Sequence, residues 1–214
     1  MEEIRDDVQR SSEQSRFSLR LALHEALMQE FFPPLLAGFH QEHPALSIHL
    51  TKEDNSTIED LVMEGNADFG FLTREPQSTH IKAHKIVDFP FALIGPKSSA
   101  KLALSGTIEK FPLFVRSPCQ LEAIHEETNF FTRFPATKTS MPINCYYTLR
   151  KLVESEMGLA FIPSFLCRPE IQILETFEKM VQSVFLVYRK GIQASSFQQT
   201  FLKWIKKTFL AVKQ

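Results

Sequence analysis

Histidine and cysteine are the residue types in this sequence that most directly suggest chemistry, and the histidine spacing argues against a metal site. His40 and His43 have an HxxH spacing, but they fall in the expected last turn of a helix. An imidazole there interacts favourably with the helix dipole. His80 and His84 lie on a segment predicted to be extended, which would place them roughly 13 Å apart at about 3.3 Å per residue. We therefore predict no metal site.

The three cysteines, Cys119, Cys145 and Cys167, are odd in number and show no CxxC spacing. This pattern favours reduced thiols in the cytoplasm over a disulfide framework. Cys119 follows the run FPLFVRSP at a predicted helix start, where N–H groups favour the thiolate form. The alternative interpretation of Cys119 is a small buried residue.

The sequence contains none of the common catalytic motifs: no GxSxG, no P-loop, no GxGxxG after a strand and no HExxH. Its 25 acidic residues against 24 Lys plus Arg give a net charge of -1, without a basic cluster that would bind nucleic acid. The most apolar run, 157–167, is too short to span a bilayer. We predict a globular cytoplasmic protein that is not an enzyme, has no cofactor and does not contact a membrane.

The spacing of apolar residues predicts the element that begins the fold. Apolar and polar residues alternate over 17–23, which indicates a strand. Leu27, Phe31, Leu35 and Phe39 are then spaced by four, which indicates that a helix follows directly. The pair Pro33–Pro34 means that this helix either begins near Pro33 or kinks there.

The rest of the chain continues this alternation of strands and helices. The predicted strands are 46–50, 68–72, 113–115, 141–143, 159–162 and 184–188. The helix before 68 starts with the capping-box pattern Ser56-Thr-Ile-Glu59 and stops at Gly65, and a later helix is capped by Asn144 and ended by Gly158. An amphipathic helix from Phe197 closes the chain. This order predicts the α/β class, with a mostly parallel sheet and helices on its faces.

Five runs carry a resemblance to a known family: LRLALHEALMQEFFPPLLAGFHQEHPALSIHL, LVMEGNADFGFL, FPFALIGP, FPLFVRSP and LRKLVESEMGLAFIP. Their order and spacing resemble those of the effector domain of LysR-type transcriptional regulators. The resemblance implies a type 2 periplasmic-binding-protein-like fold, in which two Rossmann-like lobes are joined by two crossover strands and leave a ligand cleft between them. It implies regulatory lobe I at 17–92 and 187–214, and regulatory lobe II at 93–186. Residues 1–16 would be the end of a linker helix or a tether.

The resemblance also implies a set of ligand-binding residues at strand ends and helix starts. His24, Glu25 and Ala26 stand where many relatives have Ser or Thr to hold a ligand carboxylate. Because Glu25 would repel an anion at a helix start, we expect a cationic or neutral ligand, or none. The other candidates are Asn55, Ser56, Thr73, Ser117, Cys119, Asn144, Tyr146 and Pro163. Each of these also has a structural interpretation, such as a helix cap for Asn55.

In the family, effector domains pair in antiparallel fashion, with the first helix of one subunit on the second lobe of its partner. The matching residues here are Leu27, Phe32, Leu36 and Phe39 on one side and Leu121, Ile124 and Phe131 on the other. Each of them is equally well explained as a core residue. The resemblance therefore implies a homodimer or tetramer.

We predict an effector-sensing and dimerisation domain of a LysR-type regulator that binds a small molecule between two lobes. It would contact DNA only through an N-terminal helix-turn-helix domain that is absent from this chain. One alternative is a free-standing solute-binding protein of the same fold. Another is a thiol-based redox sensor, because peroxide-sensing relatives carry their reactive cysteine near the position of Cys119. The region of their resolving cysteine here contains Thr128, Asn129 and Phe130.

Overall fold

Strands and helices alternate along the chain as the sequence predicts. The computed structural model describes residues 18–98, 107–140, 142–191 and 195–211, so the predicted tether at 1–16 lies outside the described residues. Within them the strands are β1 (Ser18–His24), β2 (Ser47–Glu53), β3 (Phe69–Leu72), β4 (Ile81–Gly95), β5 (Leu113–Phe114), β6 (Leu159–Pro163) and β7 (Gln172–Arg189). The helices are α1 (Glu25–Gln29), α2 (Phe32–Glu42), α3 (Asn55–Glu64), α4 (Pro118–Glu127), α5 (Phe130–Arg133), α6 (Tyr146–Glu154) and α7 (Ser196–Ala211), and 3₁₀ turns cover Thr107–Lys110 and Ser164–Leu166.

Two helices, not one kinked helix, follow β1. The helix α1 begins directly after the strand and ends at Gln29. Pro33 and Pro34 then lie in the first turn of α2, where a missing N–H group costs no hydrogen bond. The proline pair therefore marks a helix start, which is the first of the two alternatives that the sequence left open.

The first of two compact units, unit 1, contains the described residues up to Val87 and those from Ser183 onward. Its strands are ordered β2-β1-β3-β7. The strand β1 pairs in parallel with both β2 and β3, and β7 runs antiparallel to β3. The carboxyl ends of β1, β2 and β3 therefore lie along one edge of the sheet, which is where α/β proteins bind ligands.

Helices cover both faces of this sheet. On one face the ring of Phe201, from α7, lies 5.1 Å from Phe39 of α2 and 5.2 Å from Phe69 of β3. On the other face Ile58 and Val62, from α3, are buried against the strands. Burying large aromatic side chains supplies much of the stability of such a core.

The second compact unit, unit 2, is Asp88–Gln182. Here β6 pairs in parallel with β5 and antiparallel with β4. Phe161, on β6, is fully buried, and its ring contacts Phe130 at 5.5 Å and Phe177 at 5.2 Å. Phenylalanine rings therefore pack against one another in the core of unit 2 as they do in that of unit 1.

The strands β4 and β7 are hydrogen-bonded neighbours and each passes from one unit into the other. They cross at Val87–Asp88 and at Gln182–Ser183, a few residues before the boundaries that we predicted from the resemblance. Through them the strands of the described residues form one mixed sheet in the order β2-β1-β3-β7-β4-β6-β5. The predicted α/β class with two crossover strands is confirmed.

The predicted ends of the helix α6 need correction. Its N-cap is Cys145, not Asn144, and no side chain caps it. The helix ends at Glu154, where Ser155 is the C-cap, and Glu156 takes the left-handed conformation with φ 61°. Gly158 is instead required for packing, because a Cβ there would lie 2.5 Å from the backbone oxygen of Pro112.

The predicted strand 141–143 is also absent from the part of it that the structure describes. Met141 lies outside the described residues, and Pro142 and Ile143 are not in a strand. The described part of this segment is held next to the residue after β5 by the hydrogen bond that Ile143 N donates to Val115 O at 2.9 Å. Because proline has no N–H group, the segment cannot form a regular ladder through Pro142.

Most residues that the resemblance places at a dimer surface are buried inside their own unit. Leu27, Phe32, Phe39 and Ile124 are at most 1% exposed, so they belong to the core and are not available to a partner. Leu36, Leu121 and Phe131 are half-buried.

Candidate functional site

Three strands of unit 1 bring predicted ligand-binding residues to one edge. His24 ends β1, Asn55 begins the helix after β2, and Thr73 follows β3. The register pairs His24 with Glu53 of β2, and Leu23 with Phe71 of β3, so the three strand ends are level. The structure therefore brings the predicted unit 1 residues together at the carboxyl edge of parallel strands.

The helix start after β1 is already occupied by the chain's own groups. The ring atom Nδ1 of His24 accepts a hydrogen bond from the backbone N–H of Ala26 at 3.2 Å. A neutral imidazole in this arrangement carries its proton on Nε2. Glu25 is the first helical residue and places a carboxyl group in the first turn. One N–H group is thus used by His24, and an acidic side chain stands where an anionic ligand would bind.

Asn55 and Thr73 form a fixed pair at the next strand ends. The Oδ1 atom of Asn55 accepts from the backbone N–H of Thr73 at 3.0 Å, and its Nδ2 donates to the Thr73 hydroxyl at 3.1 Å. Thr73 is buried and Asn55 is half-buried. The amide of Asn55 therefore ties α3 to the end of β3.

The N-cap of α3 is Asp54, not the predicted Ser56. The Oδ1 atom of Asp54 accepts from the backbone N–H of Thr57 at 2.9 Å and from the Ser56 hydroxyl at 2.7 Å. These hydrogen bonds, that of the Thr57 N–H first, lower the pKa of Asp54 to about 2. The cap is therefore a carboxylate at neutral pH, and Ser56 is an exposed residue that supports it.

The role of Glu59 differs from the capping box that the sequence predicted. Glu59 is buried, and its carboxylate accepts from Arg74 Nη1 at 2.6 Å and from the backbone N–H groups of Gln77 and Ser78 at 2.9 and 3.0 Å. It thus holds the loop that follows Thr73. The S-x-x-E pattern predicts that Glu59 binds the start of its own helix. That prediction is wrong because Glu59 instead binds N–H groups of a loop that is distant in the sequence.

In unit 2 the parallel strands β5 and β6 likewise end at one edge. Ser117, after β5, is the N-cap of α4, and its hydroxyl accepts from the backbone N–H of Gln120 at 3.2 Å. Pro163 ends β6 and is buried. Gln120 is buried as well; it accepts from Arg116 N at 2.6 Å and donates to Phe161 O at 3.0 Å. Gln120 therefore connects the loop after β5 to the strand β6.

Arg116 is a functional candidate in unit 2 that was not predicted from the sequence. Its guanidinium carbon lies 4.8 Å from the ring centroid of Tyr146, the first residue of α6. Tyr146 is buried, and burial raises the pKa of its hydroxyl, while the positive charge of Arg116 opposes this change. The pair gives unit 2 a cation and an aromatic face near its strand ends.

The remaining predicted residues of unit 2 are solvent-exposed. Cys119, in the first turn of α4, and Asn144, before α6, are both exposed. Cys119, Cys145 and Cys167 form no disulfide bond in the described part of the chain. Burial raises the pKa of Cys167 to about 11, so this thiol is unreactive near neutral pH.

The described residues show no group of three or more histidine, cysteine or acidic side chains that would hold a metal ion. No helix in the described part of the chain has both the length and the hydrophobicity that crossing a membrane requires.

Comparison with known proteins gives the fold and the family. The regulatory domain of CcmR from Synechocystis PCC6803, solved in complex with 2-PG, matches 90% of this chain and 97% of its own, with 19% identity and a TM-score of 0.69. Full-length CbnR complexed with target DNA matches 97% of this chain and 78% of its own, with 16% identity and a TM-score of 0.71. The sulfate-bound regulatory domain of an OxyR2 mutant from Vibrio vulnificus matches 88% of this chain and 93% of its own, with 16% identity and a TM-score of 0.68.

At these identities the structures show a shared fold, which is that of LysR-type regulatory domains with a type 2 periplasmic-binding-protein-like architecture. The family described as LysR substrate binding domain matches residues 12–210, nearly the whole chain. The resemblance seen in the sequence is therefore confirmed. The protein belongs to the LysR substrate binding domain family.

Proposed function

We propose that this chain is the effector-sensing and dimerisation domain of a LysR-type transcriptional regulator and that it catalyses no reaction. The family match over residues 12–210 carries this proposal. The strand-end residues described in both units support it, because they offer hydrogen-bonding groups and a cation without a nucleophile paired to a base. Regulatory domains of similar fold have been solved with 2-PG and with sulfate bound, which supports a small-molecule effector for this chain as well.

The charges at the strand ends suggest the class of this effector. In unit 1, Glu25 and Asp54 place carboxyl groups at both helix starts beside the parallel strands. In unit 2, Arg116 provides a guanidinium next to Tyr146. We propose that unit 1 favours a cationic or neutral hydrogen-bond donor of the effector and that unit 2 favours an acceptor or anionic group.

A ligand screen tests the effector proposal. A thermal-shift screen of the 214-residue chain against a metabolite library is expected to find a ligand that raises the melting temperature, because binding to the native state stabilises it by mass action. The substitution Glu25→Ser is expected to improve the binding of simple carboxylates. Unchanged carboxylate affinity would remove Glu25 from the site.

We further propose that the chain acts together with an N-terminal helix-turn-helix domain. Full-length CbnR, which shares the fold, has been solved with its target DNA. An effector that binds one arrangement of paired subunits more tightly than another would shift their population, and with it the positions of the DNA-binding domains. A reading frame that extends about 60 residues or more upstream with a helix-turn-helix pattern is expected. Its absence would favour a free-standing solute-binding protein.

Dimerisation is the last part of the proposal. The edge strand β2 is largely exposed, and Leu50 on it is 42% exposed, so the unpaired edge of this strand is open to a second copy of the chain. Leu36, Leu121 and Phe131 are the residues from the predicted interface that remain partly accessible. Sedimentation equilibrium is expected to show a dimer that the substitution Leu50→Lys weakens, with exposed Thr51→Lys as the control. A monomer at high micromolar concentration would contradict this.

A further inference from the structure

Unit 1 contains an open cavity at the edge of its sheet opposite the strand ends described above. The cavity has a volume of about 260 Å³. It is lined by the amino ends of β1 and β3, the end of β7, the end of α3 and the first half of α7. The lining residues that matter here are Arg20, Val62, Asp68, Phe69, Arg189 and Leu202.

The carboxylate of Asp68, which lines the cavity, is already compensated. Its Oδ1 atom accepts from Arg20 Nη2 at 2.9 Å and from Gln198 Nε2 at 3.0 Å, and its Oδ2 accepts from the backbone N–H of Arg20 at 2.8 Å. Arg20 and Asp68 therefore form a neutral pair that contributes little repulsion toward an anion. The remaining positive charge among the described lining residues is that of Arg189.

Arg189 is held at the rim of the cavity by the backbone. Its Nη1 donates to Met63 O at 3.0 Å, in the last turn of α3, where helix carbonyls have no helical partner. A guanidinium has five N–H donors, and the others have no acceptor among the described residues. The group is thus oriented by one hydrogen bond and has donors left for a ligand.

Part of the cavity wall is apolar. Val62, Ala67 and Phe69 are buried, and Leu202 is half-buried. The volume is below the roughly 300–1,000 Å³ of sites for drug-sized ligands, so it suits a small molecule.

We propose that this cavity binds a small amphipathic carboxylate, with its charged end at Arg189 and its apolar part against Phe69 and Leu202. The excess positive charge disfavours a cation, and the apolar wall favours a hydrocarbon tail over a hydrophilic anion. The site is independent of the proposed effector site, because none of its residues lies at the carboxyl ends of the parallel strands.

Three probes of equal length test the proposal: hexanoate, 1-hexanol and hexylammonium. We would titrate each into the ¹⁵N-labelled 214-residue chain and follow backbone amide shifts by NMR. Hexanoate is expected to shift the amides of Ala67, Phe69 and Leu202 and to saturate with a Kd on the order of 1 mM, as for a ligand of few atoms. The other two probes are expected to bind at least about tenfold more weakly, because they lack the charge-assisted hydrogen bond.

Two variants and one control make the result specific. Arg189→Gln is expected to weaken hexanoate binding about tenfold, and Leu202→Trp is expected to abolish it by filling the cavity. The control Lys203→Gln removes an exposed positive charge next to Leu202 that does not line the cavity, and it should leave the affinity unchanged. The proposal is overturned if 1-hexanol binds as tightly as hexanoate, if Arg189→Gln has no effect, or if hexanoate shifts only amides elsewhere or none. None of these outcomes bears on the effector screen.

Discussion

The two units end their parallel strands in the same way but place different charges there. In unit 1 the helix after β1 starts with Glu25, and the helix after β2 is capped by Asp54. In unit 2 the helix starts carry the neutral residues Ser117 and Cys145, and the guanidinium of Arg116 lies beside Tyr146. Helix N-termini attract anions in both units, but of these described helix starts only those of unit 1 carry their own carboxyl groups.

This difference teaches that the fold alone does not determine the ligand of such a site. Level strand ends and helix starts provide N–H groups in every protein with this architecture. The side chains at the first helical positions then decide whether those groups remain available. In this chain the helix starts after β1 and β2 carry carboxyl groups, whereas those at Ser117 and Cys145 do not, so the two units are expected to favour ligand groups of different charge.

The largest expected effects come from placing the same substitution in both cores. In Gly158→Ala of unit 2, the new Cβ would lie 2.5 Å from the backbone oxygen of Pro112, which is fixed by a hydrogen bond from Leu159 N. In Gly70→Ala of unit 1, it would lie 2.5 Å from a methyl group of Ile58 and 2.8 Å from one of Val187, which are side-chain atoms and not hydrogen-bonded backbone. We expect losses of unfolding free energy of about 3 and about 2 kcal/mol, measured by chemical denaturation.

Gly38→Ala serves as the control for this pair. The position is helical, and an added Cβ would make only ordinary contact with Trp204, at 3.4 Å. Helix propensity should then leave the variant as stable as the wild-type chain, or more stable. If Gly158→Ala unfolded at the wild-type denaturant concentration, the packing of β5 on β6 would be contradicted.

The next effect tests the rigid pair at the unit 1 strand ends. Asn55→Ala removes two hydrogen bonds and leaves the buried N–H of Thr73 without its acceptor, so we expect a loss of about 1–2 kcal/mol and faster amide exchange at Thr73. Asn55→Asp keeps the acceptor and should lose less. The neighbouring Ser56→Ala, which removes one exposed hydrogen bond to Asp54, should change stability by less than about 0.5 kcal/mol. Equal effects of Asn55→Ala and Ser56→Ala would contradict the pairing.

The smallest effect concerns the charge of the α3 cap. The folded pKa of Asp54, about 2, is below its ordinary value of 3.8, so the stability it contributes is complete above 3.8 and is lost as the pH falls through about 2. Ser56→Ala removes one of the hydrogen bonds responsible and is expected to raise the pKa of Asp54 part of the way toward 3.8. Carboxyl ¹³C NMR would measure this. A wild-type pKa near 3.8 would show that the cap is not formed.

A feature of the fold could be predicted from the sequence where the residues that form it are close together in the chain. The strands β1 and β3 and the stop at Gly65 follow from short-range patterns, and Gly65 does cap α3 in the left-handed conformation. The cap at Asp54 was missed because Ser56 and Glu59 form a pattern that fits equally well. The sequence predicts a helix stop at Gly158, whereas the tight contact that requires this glycine is with Pro112, which is distant in the sequence.

The candidate site shows the same division. Sequence reasoning selected Asn55 and Thr73 through the family resemblance, but their mutual hydrogen bonds depend on the register of β2 and β3 with β1. Arg116 was missed because its partner, Tyr146, lies 30 residues further along the chain on the helix α6. Such pairs become visible only when the tertiary structure brings the elements together.

The most direct test of effector binding is isothermal titration calorimetry of the screened effector with three chains: wild type, Asn55→Ala and Arg116→Gln. We predict that each variant weakens binding about tenfold or more, because each unit supplies hydrogen bonds to a different part of the ligand. The double variant should lose both contributions. Wild-type affinity in both single variants, or a library that contains no binder at all, would contradict the claim that the strand ends of both units hold an effector.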